Sequence, residues 1–257
     1  ARGLECAAHG RLHHASGAVW RELAAHLERQ ETWKLPADVM AALLDGLYGL
    51  VNALGTSARQ GGQLVTIRKC IVRFGLSDQR APVRASAAAV VGLCGDGAED
   101  FLAILAVCTF DADPCLASFI AAGRIAHRVM RVKDVALDPS WHVLVGTSSQ
   151  MSGGGQPTGA SDAWLVRDWV RQALIDTAAR FDPAGTSWSQ PDLRAACSLA
   201  MLLRAGFSVR ECAEIHGDPS TVLSGLILAA SDRFYSLEYR ERIDAAARFV
   251  CAEAGTP

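Results

Sequence analysis

Cys6, His9 and His13 recur at spacings of three and four residues, which on a helix puts them on one face, with His14 beside them. A thiolate among imidazoles is a donor set that suits zinc. No fourth ligand stands nearby, since His26 lies about three helical turns further on. The cluster therefore reads as a histidine-bearing, solvated helix face, and no metal is expected. The glycine-rich stretch at 152–159 lacks the lysine-serine/threonine ending of a phosphate-cradling loop and has no strand of proper length before it. The chain holds no G-x-S-x-G and no H-E-x-x-H. Its 8 cysteines are scattered without a C-x-x-C pair, and no spacing nominates a cysteine–histidine dyad. Reaction chemistry is not legible here. The expectation is a protein that is not an enzyme and needs no cofactor.

Charge offers binding instead. Arg59, Arg68, Lys69, Arg73, Arg80 and Arg84 form a basic stretch broken only by Asp78, and Arg124, His127, Arg128, Arg131 and Lys133 form another. Stacked helices could bring Arg68, Arg73, Arg80, Arg84, Arg124 and Arg128 onto one face that attracts an acidic peptide or a phosphate backbone. The plainer alternative is solvated arginines paired locally with Asp78, Asp96 or Asp111. Aromatic residues for base stacking are not interleaved with them. Residues 207–222 are similar to a helix-turn-helix, but the turn is one residue short and Asp218 stands where an apolar residue belongs. The second helix offers Leu223, Ser224 and Gly225 rather than basic donors for a major groove, so two packed helices are the better reading.

The elements that would carry these side chains are helical almost throughout. Apolar residues on helical spacing predict segments over 2–29, 36–55, 64–74, 82–94, 98–109, 115–132, 162–181, 191–205, 208–216, 220–233 and 237–254. Proline opens several of them and glycine closes several. Val143 to Val145 is the one stretch that reads as a short strand.

A pattern then recurs. Asp78-Gln79-Arg80-Ala81-Pro82-Val83-Arg84 precedes the apolar run Ala87 to Leu93, and Asp111-Ala112-Asp113-Pro114-Cys115-Leu116 precedes Ile120, Ala121, Gly123 and Ile125. Asp111 follows Asp78 by 111 − 78 = 33 residues. A third copy, beginning at Asp45, falls inside a helical run. Asp78 to Asp96 resembles the HEAT repeat, and the resemblance covers about residues 36–130 with the central copy the clearest. It implies an aspartate and proline that open the second helix of a pair, and an arginine at Arg84 that reaches toward the preceding unit's aspartate or loop carbonyls. It also implies a stack of helical hairpins whose concave face binds proteins, peptides or RNA.

The expected architecture is all-α: a HEAT/armadillo-like repeat region over 1–133, a flexible Gly/Ser-rich connection over 134–161, and a C-terminal helical bundle over 162–257. A chain of 257 residues that is 50% hydrophobic can bury a sizeable core, and a net charge of −2 favours no class of partner. No apolar run is long enough to cross a membrane. The scattered cysteines fit a reducing, intracellular compartment, although a start at Ala1 rather than methionine leaves room for an upstream segment. The expected function is a binding or scaffold protein with a protein partner. Nucleic-acid binding through the basic residues of 59–84 and 124–133 is the alternative.

Overall fold

The structure, a computed structural model, describes residues 16–54, 62–110, 115–131, 138–141, 143–145, 160–179, 191–216 and 248. The described residues are all-helical, with no strand among them. The chain divides into two compact units, Ala1–Gly95 and Asp96–Pro257.

In the first unit, α1 (Ser16–Leu27) buries Leu23, Ala24 and Leu27, one turn of an apolar stripe. A short 3₁₀ turn, Gln30–Lys34, follows and folds back on it. There the Trp33 indole donates Nε1–H to the Leu27 carbonyl at 2.8 Å, closing an orphan acceptor at the helix end, and its ring lies 5.7 Å from that of Phe74. α2 (Ala37–Leu54) begins straight after Pro36 and turns Met40, Leu44, Leu47, Leu50 and Val51 inward. Its principal neighbour is α4 (Ala81–Cys94), which carries proline in its first turn, where a missing N–H leaves no bond unmade. Between them, α3 (Gly62–Cys70) widens into a π turn at Ile71–Gly75. A methyl group on Gly75 would sit 2.8 Å from Ala87 Cβ and 3.1 Å from the Trp33 ring, so glycine is what lets the π turn close on α4.

α6 (Leu116–Arg131) is the centre of the second unit, packed against α5 (Ala98–Phe110), α7 (Ala160–Ala179) and α8 (Pro191–Ala205). Every residue from Ser118 to Ala126 on α6 is buried, as expected of a helix covered on all sides. Its tightest approach is to α8. A Cβ on Gly123 would stand 2.4 Å from the Met201 carbonyl oxygen, a separation only a bare glycine allows. α8 ends at Gly206, with φ +103°, and α9 (Val209–His216) follows. Ser208 and Glu211 make a capping box at its start: Glu211 N donates to Ser208 Oγ at 3.2 Å, and Ser208 N donates to Glu211 Oε2 at 2.7 Å.

The helices over 36–55, 82–94, 98–109, 115–132, 162–181, 191–205 and 208–216 all form, with ends within about two residues of expectation. The expected strand at Val143 to Val145 is instead helical. Part of the expected flexible connection is docked: Ser140 Oγ accepts from Ala98 N at 2.9 Å, and the Trp141 indole donates to the Asp96 carbonyl at 2.8 Å. Trp141 is fully buried against Phe101, with ring centroids 5.6 Å apart. Asp100 Oδ2 accepts from Asp96 N and Gly97 N, each at 3.2 Å, completing the start of α5. The segments at 220–233 and 237–254 lie outside the described residues, apart from Arg248.

Candidate functional site

The loop that opens α4 gathers a dense set of charged contacts. Arg80 Nε and Nη2 bond Asp78 at 2.8 and 2.6 Å, and Nη2 also donates to the Trp33 carbonyl at 2.7 Å. Nη1 donates to the Leu35 carbonyl. One guanidinium thus ties the loop before α4 to the loop before α2. Its bond to Asp78 holds that carboxylate below the ordinary aspartate range, and the same bond raises Arg80. Arg84 Nη1 donates to the carbonyls of Asp78 and Gln79 at 2.8 and 2.7 Å. These two arginines are spent on backbone carbonyls and one carboxylate, which is a structural use of their planar donors.

The other four candidates divide between the two units. Arg68 is half-buried and lies 3.4 Å from the Cys94 carbonyl, which it approaches through Nη1. Arg73 is exposed, its guanidinium 4.9 Å from the centre of the neighbouring Phe74 ring. In the second unit Arg124 is buried and Arg128 half-buried on α6. Of the six, only Arg73 has an exposed side chain. Arg59 and Lys133 lie outside the described residues, as do Cys6, His9, His13, His14, the glycine-rich stretch and the second half of the helix-turn-helix-like segment.

Sequence reasoning missed two features of the second unit. Trp164, on α7, is 64% exposed. It heads a ridge completed by Asp168, Gln172 and Asp176 at four-residue spacing, while Val166, Val170 and Leu174 take the core side. The tryptophan sits two positions out of register with the buried stripe, a signal present in the sequence.

The other feature is Arg194, on the first turn of α8 and only 1% exposed. Its Nη1 donates to the Cys108 carbonyl at 2.7 Å, and its guanidinium lies 5.6 Å from the centre of the Phe119 ring. Burial lowers the pKa of this arginine, and burial pushes the neighbouring Cys108 thiol well above its ordinary value. Nothing in the local sequence around Arg194 marks it as buried, because its partners are on α5 and α6.

Among the described residues no group of three or more cysteine, histidine or acidic side chains could hold a metal ion, and no helix is long and apolar enough to cross a membrane. No protein-family profile, curated protein or solved structure matches this chain.

Proposed function

We propose that the chain is a non-enzymatic binding or scaffold protein that presents its helical surface to a protein partner, with Trp164 as the anchor. The exposure of that indole carries the reading. Tryptophan is strongly enriched among the few residues that dominate binding energy at protein interfaces, and a 64% exposed tryptophan on a regular helix offers large apolar area at low ordering cost. The finer proposal, that Asp78 to Asp96 is a HEAT-like unit in a stack of hairpins, is supported by Pro82 in the first turn of α4 and by the bonds from Arg84 to the loop carbonyls of Asp78 and Gln79. Of the six arginines proposed for the contact surface, Arg73 is the one with an exposed side chain, which supports its inclusion. A reducing, intracellular setting fits the six described cysteines, none of which is in a disulfide.

The test is capture from native extract with the wild-type chain, followed by direct binding to the identified, purified partner. Trp164→Ala should weaken that binding by about 30-fold, as loss of an anchor worth ~2 kcal/mol would. Unchanged affinity in a folded W164A chain overturns the choice of surface. Tight binding of RNA or DNA with a steep salt dependence would replace the protein-partner reading with the nucleic-acid one.

A further inference from the structure

The side of α7 turned away from the core forms a ridge with an uneven distribution of charge. Trp164, Asp168, Gln172 and Asp176 follow one another at four-residue spacing and are all exposed, whereas Val166, Val170 and Leu174 are buried. From Trp164 to Asp176 the ridge spans about 18 Å, with Asp168 about 6 Å along it. It thus presents an apolar indole at one end, then two carboxylates, and none of its four side chains is a cation. Gln172 Nε2 donates to Asp176 Oδ1 at 2.8 Å, which orients that carboxylate without neutralising it. The arginines that flank the ridge, Arg167 and Arg171, are half-buried. Arg171 directs its guanidinium to Glu211 at 2.6 Å and lies 4.4 Å from the centre of the Phe207 ring, so its charge is matched on α9.

This pattern selects among occupants. A phosphate backbone or an anionic lipid surface would approach two carboxylates and be repelled by both. Two copies of the chain meeting along the ridge would bring four carboxylates together with no cation on either ridge, a like-charge juxtaposition that opposes pairing. A protein segment bearing lysine or arginine is attracted by both aspartates. It can also lay a cation over the Trp164 ring, or enclose the indole with its apolar residues.

We propose that the outer ridge of α7 docks a basic amphipathic segment of a protein partner, with apolar residues around Trp164 and cations opposite Asp168 and Asp176. The inference rests on the Trp164 surface as the contact face and adds the charge and spacing of what covers it. Asp168 and Asp176 are separated by 176 − 168 = 8 residues of helix. Their cationic partners therefore lie about 12 Å apart, which is roughly two turns of a partner helix or about four residues of an extended strand.

The probe is a labelled leucine–lysine amphipathic helical peptide long enough to span the ridge, compared with the same peptide carrying glutamate for lysine. Fluorescence anisotropy with the full chain should show the lysine peptide binding at low salt, more weakly as salt is raised, and the glutamate peptide not binding. Asp168→Lys with Asp176→Lys should weaken binding at least about tenfold. Glu22→Lys with Asp38→Lys, the same change of net charge at exposed acids of the first unit, should leave the affinity unchanged. Asp168→Asn with Asp176→Asn should give a smaller loss in the same direction, and circular dichroism checks that each variant is folded. Equal binding of the two peptides, no binding of the lysine peptide at low salt, or equal losses in the ridge and first-unit variants would each overturn the basic partner. The choice of Trp164 as anchor is decided separately, by W164A against the purified natural partner: a loss there with unchanged affinity in the charge-reversed ridge keeps the anchor and removes the basic segment.

Discussion

Replacing Gly123 by alanine should destabilise the protein, whereas the same replacement at Gly49 should stabilise it, and the contrast rests wholly on what a methyl group would touch. On α6 the new Cβ would lie 2.4 Å from the Met201 backbone oxygen, 2.8 Å from Arg204 Cβ and 3.2 Å from Arg204 Cγ. A relaxed carbon–oxygen contact is about 3.3 Å, so α6 and α8 must separate locally by roughly 0.9 Å. Carbonyl oxygen cannot rotate away as a side chain can, so the cost belongs at the upper part of the ~1–3 kcal/mol range for overpacking. The helix-forming preference of alanine over glycine returns about 1 kcal/mol, leaving a net loss of ~1–2 kcal/mol. In α2, by contrast, a Cβ on Gly49 meets nothing within 4 Å, so alanine should add up to about 1 kcal/mol. For a chain of this size each kcal/mol moves Tm by about 2–4 °C. Urea and thermal unfolding read both variants, and amide exchange along α6 and α8 localises the first to its interface. A Gly123→Ala chain as stable as the wild type, with unchanged exchange on α6 and α8, would show that these helices do not meet backbone to side chain as described.

Acid should loosen the start of α9. Bonds from Ser208 N and Oγ, then from Arg171, hold the Glu211 carboxyl down at about 2 against 4.5 for the free side chain. Because the folded value is the lower one, the stabilisation is complete above about pH 4.5 and disappears as pH falls toward 2. The shift corresponds to about 3 kcal/mol before screening, but both Glu211 and Arg171 are more than a third exposed, which reduces the expected effect to ~1 kcal/mol. Tm measured against pH should therefore fall less steeply between pH 4.5 and 2 in Glu211→Gln than in the wild type; equal slopes would remove the capping box from the account. Charge reversal separates structural from exposed arginines: Arg80→Glu should break the tie among Asp78, Trp33 and Leu35 and lower Tm, whereas Arg73→Glu should leave Tm unchanged. If R80E melts like the wild type, the loop contacts of Arg80 contribute nothing measurable.

The helices were legible because each carries its own information: an apolar stripe at helical spacing, Pro82 at a start, Gly206 at an end. The short helical turns at 139–141 and 143–145 were not. Val143-Leu144-Val145 is β-branched at two of three positions and reads as strand, yet Ser140 and Trp141 bond to the start of α5 and the stretch is helical. A local propensity of a few tenths of a kcal/mol cannot resist a fully buried indole whose burial stabilises by several times that amount. The same limit explains Arg194. Sequence around it shows an arginine in a helix, which is most often solvated; only its carbonyl and aromatic partners, 86 residues away for Cys108, make burial sustainable.

Two arginines of the basic stretch have partners that a count of charges along the sequence does not show. Net charge along a sequence counts cations, but a surface that attracts anions needs cations whose donors are not already spent. Arg80 and Arg84 together direct bonds to four carbonyls and one carboxylate. Each such bond would have to be surrendered before the guanidinium could turn to a phosphate or an acidic peptide, a cost that any ligand must first offset. A ligand offering one new charged contact in water returns no more than that. Arg80 and Arg84 thus serve the loop that opens α4, and for Arg80 the aspartate two residues before, Asp78, is a local sign of that use.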